Sequence, residues 1–254
     1  MKNCYVVTSA IEVDNAHLLK EDQIRTILST TDRLTDTKKS VECILKHDKD
    51  ATIFVVDISR TNFEAELTQD NNVRYIHLET HNHKLADQCR THPSKSWGEA
   101  MILLEFLKLY KNFVKINFDY LIKLSGRYYF TDNWMNDLSP EHTDNFLFKN
   151  PVFWDQSSLG YIPEYFLPSD MYVGGKLGGY YTVAYAVGNK QLDRYETVMF
   201  TCASLTDSYS KYFYVDVEYL LYKIFCNLDL RKYVIQTDWT IEGRGGQNGK
   251  YFKL

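Results

Sequence analysis

One segment of the chain, residues 51–58, constrains the fold more than any other. Its centre, residues 53–56, is continuously apolar, which is typical of a strand that is covered on both faces, as the strands of a parallel sheet are. Shorter β-rich segments at 4–11, 73–78 and 120–124 have the length and composition of further strands. The sequence therefore predicts four strands in the first half of the chain.

Helical patterns separate these strands. Apolar residues recur at helical spacing in 17–29 and again beyond Asp36 or Thr37, either of which could cap that second helix. A third, strongly apolar helical pattern follows the Ser-containing segment 94–100. Strands that alternate with helices predict an α/β fold with a mostly parallel central sheet, flanked by helices and joined by right-handed crossovers.

The alternation ends in the second half of the chain. Residues 146–185 are rich in aromatic residues, Gly and Pro, which predicts mixed strands and long loops around a cleft. A helix is indicated at 219–225, a strand at 233–236 and a polar, Gly-rich tail at 242–250. Because the sequence has no internal repeat and no segment with the composition of a linker, we expect a single domain over residues 1–254.

Composition excludes several classes of protein. The net charge is −4, so no global basic field argues for binding to nucleic acid or to an anionic membrane. The five cysteines lie far apart and form no CxxC pair, which is the usage of a reduced, intracellular protein. No segment has the length of a signal sequence or a membrane span, and we therefore expect a cytoplasmic protein.

The end of the central strand carries the clearest candidate for a ligand site. After the apolar residues 120–124, Ser125 and Gly126 break the pattern, and the cations Lys123 and Arg127 flank the break. In an open α/β sheet, ligands bind outside the carboxyl ends of the strands, and Arg together with Lys suits a diphosphate. A strand that ends in a turn with two surface-paired cations is the structural alternative.

Three further places carry candidate functional residues. Asp57 ends the most apolar strand and could accept hydrogen bonds from a ribose or a base, or be a solvated loop residue. Asp216 and Glu218 precede a helix, where carboxylates are favoured electrostatically, and one of them could instead take a proton from an attacking hydroxyl. Arg244 and Lys250 belong to the Gly-rich tail, which could close over phosphates as a lid or could fray.

Several motifs for catalysis and for metal binding are absent. The sequence has no GxxxxGK[ST], no GxGxxG after the first strand, no GxSxG and no HExxH, so kinase, NAD-dehydrogenase, serine-hydrolase and zincin functions lose support. His77, His81 and His83 lie close together in the sequence, but no carboxylate or Cys has a spacing that would complete a ligand set. We predict no metal ligands from this cluster.

Taken in order, these motifs resemble a group of bacterial and viral glycosyltransferases of the GT-A type, the fold of nucleotide-diphospho-sugar transferases. The most specific is Lys-x-Ser-Gly-Arg-Tyr at 123–128. Each motif is short, and the ordered set, which covers nearly the whole chain, carries more weight than any member. The other members are an Arg-containing segment at 31–40, a strand ending at 55–59, a Lys-Ser-x-Gly-Glu-Ala box at 95–100, the segment 215–222 and Glu242-Gly243.

The resemblance implies a function. A sugar would pass from a nucleotide-sugar donor, with UDP-sugars favoured, to a hydroxyl of a glycan acceptor, by inverting displacement with Glu218 or Asp216 as the base. Residues 1–135 would bind the nucleotide sugar, and 136–254 would bind the acceptor and supply a C-terminal lid. The implied donor-binding residues are Ser9, Asp57 and Ser59 near the nucleoside, Lys95, Lys123 and Arg127 near the diphosphate or donor sugar, and Thr8, Ser125, Gly126, Arg244 and Lys250 around them.

The chain departs from the GT-A pattern in one respect. Enzymes of this type usually carry an Asp-x-Asp triplet that holds Mn²⁺ or Mg²⁺ against the diphosphate, and this chain has none. Residues 124–127 take its place in the sheet order, and cations there could neutralise the leaving group without a metal. Alternatively, Asp132 could hold a metal together with substrate phosphates and waters. We expect no tightly bound cofactor, and of the two alternatives we prefer metal independence.

Other functions stay open from the sequence. A nucleotidylyltransferase shares this type of sheet, although such enzymes usually have a Gly-rich loop after the first strand, and residues 8–12 contain no Gly. A non-catalytic carbohydrate-binding protein could stack sugars on the aromatic residues, which make up 15% of the chain, although lectin modules are mostly all-β. On the acceptor side, residues 180–182 and 154–155 are candidates. A virus-encoded enzyme would act in the host cytoplasm.

Overall fold

The computed structural model of the chain has an α/β architecture. It describes residues 1–14, 26–131, 134–155, 172–173, 176–212, 215–245 and 249–254. Its strands are β1 (Asn3–Ser9), β2 (Thr52–Asp57), β3 (Val73–His77), β4 (Tyr120–Ser125), β5 (Tyr128–Phe130), β6 (Phe146–Lys149), β7 (Val152–Asp155), β8 (Tyr172–Val173), β9 (Lys176–Gly179), β10 (Ala184–Gly188), β11 (Val234–Thr237), β12 (Ile241–Arg244) and β13 (Tyr251–Lys253). Its α-helices are α1 (Thr30–His47), α2 (Glu64–Leu67), α3 (Leu78–His81), α4 (His83–Thr91), α5 (Lys95–Asn117), α6 (Leu192–Tyr209) and α7 (Val217–Asn227).

A seven-stranded sheet with the order β11-β6-β10-β4-β1-β2-β3 forms the centre of the molecule. The strands β3, β2, β1 and β4 pair in parallel, as do β6 and β11. Strand β10 runs antiparallel to both of its neighbours, β4 and β6. The predicted α/β class and mostly parallel sheet are therefore confirmed, and the sheet draws strands from both halves of the chain.

Both faces of this sheet are buried. In β1, Cys4 and Val6 belong to a core shared with α4 to α7. Tyr5 and Val7 point the other way, into a core shared with α1, β5 and β12. Because each face is covered, successive residues of a strand need not alternate between apolar and polar, and this accounts for the continuous apolar run in β2.

Helix α1 begins earlier than the sequence predicts. The side chain of Ser29 accepts a hydrogen bond from the backbone of Asp32, and the Asp32 carboxylate accepts one from the backbone of Ser29, so the two residues form a capping box. The prediction that Asp36 or Thr37 caps the helix is wrong because this box satisfies the first free N–H groups one to two turns upstream. Thr37 instead donates its hydroxyl to the carbonyl of Arg33, one turn back.

The predicted polar tail, residues 242–250, begins inside one strand, β12, and is followed by another, β13. β12 and β13 pair antiparallel, and β12 also pairs with β5, so the three form a small sheet beside the central one. Gly243 permits this pairing: a Cβ atom there would lie 2.3 Å from the carbonyl oxygen of Arg127 and 2.5 Å from the ring of Tyr128. Of the two alternatives for the tail, a lid or a frayed end, fraying is wrong for residues 242–243, because they pair with β5.

The remaining elements surround this core. β7, β9 and β8 form a small antiparallel sheet, and β9 packs against α7, in the segment where the sequence predicts mixed strands. The helix predicted at 17–29 lies largely in residues 15–25, which are outside the described residues. Among the described helices, none has both the length and the apolar composition that a bilayer crossing requires.

Candidate functional site

A cleft of about 440 Å³ lies where strands β1 and β4 end. Ser9, the last residue of β1, pairs with Asp57 at the end of β2, and Thr8 pairs with Ser125 at the end of β4, so three carboxyl ends meet at one edge. The strand order changes direction here, since β2 and β3 lie on one side of β1 and β4 on the other. Such a switch point is the usual ligand site of an open α/β sheet.

The structure brings eight of the thirteen predicted site residues into this cleft. They come from the end of β1, the β4–β5 turn and the starts of α5 and α7, which are far apart in the sequence. The eight are Thr8, Ser9, Lys95, Ser125, Gly126, Arg127, Asp216 and Glu218. The other five, which do not line it, are Asp57, Ser59, Lys123, Arg244 and Lys250.

The β4–β5 turn passes close over the end of β1. The backbone N–H of Gly126 donates to the carbonyl of Thr8 at 2.9 Å, and the hydroxyl of Thr37 in α1 lies 2.9 Å from the carbonyl oxygen of Gly126, an alternative acceptor to the carbonyl of Arg33. A Cβ atom at Gly126 would lie only 3.0 Å from the Thr37 hydroxyl, so a larger residue would push the turn away from α1. This close approach fixes where Arg127 enters the cleft.

Two guanidinium groups line the same cleft. Arg33, which is 8% exposed, donates from Nε to the carbonyl of Ala10, and Arg127 donates from Nη1 to the carbonyl of Arg244 at 3.0 Å. Burial, together with repulsion from Arg127, lowers the pKa of Arg33 to about 9. Among the described residues neither group forms an ion pair with a carboxylate, and a bound anion would relieve their repulsion.

Three carboxylates line the cleft as well. Glu218 and Asp216 lie at the start of α7, and Glu99 lies in the second turn of α5. Glu218 accepts a hydrogen bond of 2.7 Å from the hydroxyl of Thr182. Burial, with the negative charges of Asp216 and Glu99, raises the pKa of Glu218 to about 8. A carboxyl group with such a pKa can exchange a proton near neutral pH.

The starts of α5 and α7 are joined. The backbone N–H of Val217, the first residue of α7, donates to the hydroxyl of Ser96 in α5 at 3.0 Å, and both residues line the cleft. Two helix N-termini therefore face one cavity, and their free N–H groups add partial positive charge beside the carboxylates. This arrangement favours an anionic ligand at the α5 end, where Lys95 also lies.

Tyr128 lies between the cations and the carboxylates. Burial raises the pKa of its hydroxyl, and the charge of Arg127 opposes this effect while those of Glu218 and Glu99 add to it. The charges of Arg127, Glu218 and Glu99 thus all act on one ring, and all three residues line the same cleft. Gly245, which follows β12, and Phe252, which belongs to β13, line the cleft beside Tyr128.

Asp57 and Ser59 support the loop after β1 from behind. Asp57 is fully buried and accepts hydrogen bonds from the backbone of Ile11 at 3.1 Å and from the hydroxyl of Tyr75 at 2.9 Å. Ser59, also fully buried, accepts one from the backbone of Glu12 at 2.9 Å. Burial raises the pKa of Asp57. These two residues position the end of β1 and do not line the cleft with their own atoms.

Lys123 and the tail cations lie apart from the cleft surface. Lys123 is 1% exposed and pairs with Glu99. Arg244 forms ion pairs with Asp32 and Asp36 at 3.2 and 2.9 Å, which tie β12 to α1. Lys250 is exposed and lies just before β13. From the C-terminal segment, Gly245 and Phe252 line the cleft, and these cations do not.

Of the candidate acceptor residues, one lies beside Glu218 and another lies in the core. Thr182 touches Glu218, while the ring of Tyr180 packs on Phe148 and Tyr222 in the core. Nothing is described for the side chains of 154–155. Asp132, the candidate for a lone metal ligand, lies outside the described residues.

Sequence reasoning missed Arg33 and Glu99. Both fall inside motifs that were recognised, the Arg-containing segment and the Lys-Ser-x-Gly-Glu-Ala box, and the charged residue of each motif was the available signal. Across the described ranges, no group of three or more His, Cys, Asp and Glu side chains has the geometry to hold a metal ion. Comparison of the sequence with protein-family models and with curated proteins gives no significant match.

Proposed function

We propose that the chain is a GT-A type glycosyltransferase that moves a sugar from a nucleoside-diphosphate sugar, with UDP-sugars as the first donors to test, to a hydroxyl of a glycan. The observation that carries this proposal is the pair Arg33 and Arg127, two mutually repelling cations in a cleft at the switch point of the sheet. Their arrangement suits a diphosphate, whose two charges would neutralise them.

The cationic and the acidic groups of the cleft have different roles in the proposed reaction. Arg33, Arg127 and the start of α5 bind the diphosphate and stabilise the negative charge that develops on it. The acceptor oxygen forms a bond to the anomeric carbon while the bond from that carbon to the phosphate oxygen breaks. The nucleoside diphosphate leaves with the bonding electron pair, and the hydroxyl proton passes to the carboxylate of Glu218. Attack opposite the leaving group inverts the anomeric centre.

This assignment requires no metal ligand from the protein. Guanidinium groups and helix N–H groups stabilise the same leaving-group charge that a divalent ion stabilises in enzymes with an Asp-x-Asp triplet. We therefore propose that the two arginines replace the metal, and this part of the proposal is tested separately by chelation.

A thermal-shift screen with UDP, GDP and CDP, each with EDTA and with Mn²⁺, tests donor binding first. A nucleotide at a hundred times its dissociation constant stabilises the native state by about 2.7 kcal/mol, a rise in melting temperature of roughly 5–10 °C for a chain of this size. We expect one nucleotide to give this rise in EDTA. A rise that needs Mn²⁺ would keep the enzyme and reject the replacement of the metal.

Assays of turnover complete the test. We expect slow hydrolysis of the matching nucleotide sugar without acceptor and faster transfer when a glycan is present. Pyrophosphate release from a sugar phosphate and a nucleoside triphosphate would instead identify a nucleotidylyltransferase. Binding of free glycan with no response to any nucleotide would identify a carbohydrate-binding protein and reject the proposal.

A further inference from the structure

Lys123 is the most completely enclosed cation among the described residues of this site. Its side chain is 1% exposed although it belongs to β4, the strand that ends at the cleft. The ammonium group contacts the carboxylate of Glu99, the hydroxyl of Ser125 at 2.8 Å and the carbonyl oxygen of Thr182. An ammonium group has three N–H donors, and three acceptors already surround this one.

This coordination leaves Lys123 no donor for a phosphate oxygen. A diphosphate could recruit it only by displacing Glu99, Ser125 or Thr182, and each loss would leave a buried polar group without its partner. Arg127 differs, because among the described residues its guanidinium donates one hydrogen bond, to the main-chain oxygen of Arg244, and no described carboxylate pairs with it. The two cations of the Lys-x-Ser-Gly-Arg-Tyr motif therefore do different work.

The contacts of Lys123 lead to both carboxylates. One is direct, through the ion pair with Glu99. The other passes through Thr182, whose carbonyl oxygen accepts from Lys123 while its hydroxyl donates to Oε1 of Glu218 at 2.7 Å. Thr182 itself is 4% exposed. A single buried ammonium group thus fixes the positions of Glu99 and Glu218 relative to each other.

We infer that Lys123 is a positioning residue for the two carboxylates and not a ligand of the donor phosphates: it holds Glu99 as the fixed negative charge of the cleft and, through Thr182, holds Glu218 as the carboxyl group that exchanges a proton with substrate. This inference rests on the proposed function for its substrate, while its structural part concerns the protein alone. Two carboxyl groups in different surroundings can take different roles in one reaction.

The charges around Glu218 set the direction of the expected effects. Burial and the negative charges of Asp216 and Glu99 raise its pKa, and Lys123 is the counter-ion of Glu99. We therefore expect the removal of Glu99 to lower the pKa of Glu218, and the removal of Lys123, which leaves the charge of Glu99 uncompensated, to raise it. The charged and titratable groups that line the cleft with Glu218 are Asp216 of its own segment, Glu99 and Lys95 of α5, Arg127 and Tyr128 of the turn and β5, Arg33 of α1 and Cys89 of α4.

A double-mutant cycle tests which partner Lys123 serves. Lys123→Met leaves Glu99 without its cation, and we expect the melting temperature to fall by roughly 10 °C. Adding Glu99→Gln removes the stranded charge, and we expect about half of the loss to return. The matched control is the pair formed by Lys111 and Glu196, which joins α5 to α6 away from the cleft; there K111M and K111M/E196Q should each shift the melting temperature by about 2 °C or less.

Nucleotide titrations separate this role from a phosphate ligand. In the K123M/E99Q variant, we expect the stabilisation by UDP, or by whichever nucleotide the wild type binds, to stay within about threefold of the wild-type affinity. If Lys123 were a ligand of the phosphates, its loss would weaken nucleotide binding by roughly tenfold or more, and adding E99Q would not restore the affinity. That second pattern would overturn the inference.

A pH titration tests the second half of the inference without relying on activity. Carbon-13 NMR follows the glutamate carboxyl carbons, and the Glu218 signal is the one lost in Glu218→Gln. We expect the midpoint of Glu218 to move by about one pH unit to lower pH in E99Q and to higher pH in K123M. If K123M leaves the midpoint unchanged, Lys123 does not govern Glu218 and the inference fails, whatever the shift in E99Q.

The two proposals can fail independently. If no nucleotide binds the wild type, the glycosyltransferase proposal loses its donor, while the stability cycle and the NMR titration still decide whether Lys123 positions the carboxylates. If K123M alone does not fold, the K123M/E99Q variant and the single variant E99Q carry both measurements. A nucleotide that binds normally to the wild type while the stability cycle shows no coupling would reject only the role of Lys123.

Discussion

The cationic and the acidic parts of the cleft are built in opposite ways. Arg33 and Arg127 donate to main-chain oxygens, Arg33 donates also to the hydroxyl of Thr26 at 3.4 Å, and among the described residues no carboxylate pairs with them. Glu99 and Glu218 instead have side-chain partners of their own, Lys123 and Thr182. The guanidinium groups thus keep their charge for an outside ligand, whereas the carboxylates are held in place by the protein.

This difference indicates which groups bind and which react. A binding group gains most when its charge is first neutralised by the ligand, as the repulsion between Arg33 and Arg127 suggests. A reacting group must be held in a fixed geometry before the substrate arrives, and the bonds around Glu218 supply that. Substitutions on the two sides should therefore have different signatures, affinity on one and turnover on the other.

The largest effect is expected on the acidic side. Glu218→Gln keeps the shape of the side chain and removes its proton-accepting carboxylate, so the rate of sugar transfer should fall by roughly 10²–10⁴-fold while nucleotide binding is retained. The control is Glu64→Gln, which removes an exposed carboxylate at the first residue of α2. If Glu218→Gln keeps the wild-type rate of sugar transfer and Asp216→Asn loses it, Asp216 is the base.

On the cationic side the expected effect is on affinity. Arg127→Met removes charge-assisted hydrogen bonds to the diphosphate and should weaken nucleotide binding by roughly 10–100-fold, measured by titration calorimetry. Arg127→Lys should recover only part of the loss, because an ammonium group cannot bind bidentately. Arg60→Met, at an exposed arginine paired with Asp14, is the control. Unchanged affinity in Arg127→Met would contradict the division between the two sides.

The position of the cationic side depends on Gly243. A methyl group there meets the backbone of Arg127 at 2.3 Å, so Gly243→Ala should separate β12 from β5 and lower the melting temperature by roughly 5 °C. Gly243→Ala should also weaken nucleotide binding, because Arg127 moves with the strand. Gly98→Ala is the matched control for stability, since the nearest backbone atom to its added methyl group lies at 3.4 Å; Gly98 lines the cleft, so it is not a control for nucleotide affinity. A variant as stable as the wild type would show that the contact is not restrictive.

The last expected effect concerns the pH dependence of stability. The pKa of Glu218 rises from an ordinary value of 4.5 in the unfolded chain to about 8 in the fold, so its contribution is fully present below pH 4.5 and is lost as the pH rises towards 8. Glu218→Gln should remove this decline, seen as a flatter curve of unfolding free energy against pH. If the curves of the wild type and of Glu218→Gln are parallel, a group other than Glu218 causes the pH dependence.

The sequence was sufficient for the parallel half of the fold. Continuous apolar runs and helical spacing are local signals, and they located β1 to β4 within a few residues and the apolar centre of helix α5, which begins and ends about two turns beyond the predicted bounds. Helix α6 was not predicted, although its buried residues recur at helical spacing as Leu192, Tyr195, Met199, Cys202 and Thr206. Its Thr and Ser residues obscure the pattern because they favour helices poorly.

The site was harder to predict than the fold. Which of two cations in one short motif meets a ligand depends on partners brought from other elements, and Lys123 is enclosed by Glu99 of α5 and Thr182 before β10. Arg33 reaches the cleft only because α1 begins at Thr30 and crosses the end of β1. Neither placement has a local sequence signal, since each depends on packing between distant segments.

The cleft also has a consequence for the order in which the chain is made. Its walls come from segments between Thr8 and Phe252, and β12 pairs with β5 across more than a hundred intervening residues. A ribosome-bound chain that has completed β1 to β4 lacks both the carboxylates of α7 and the strand that holds Arg127. Pairing between such distant segments forms slowly and late. Substrate binding should therefore be among the last properties that a newly synthesised molecule acquires.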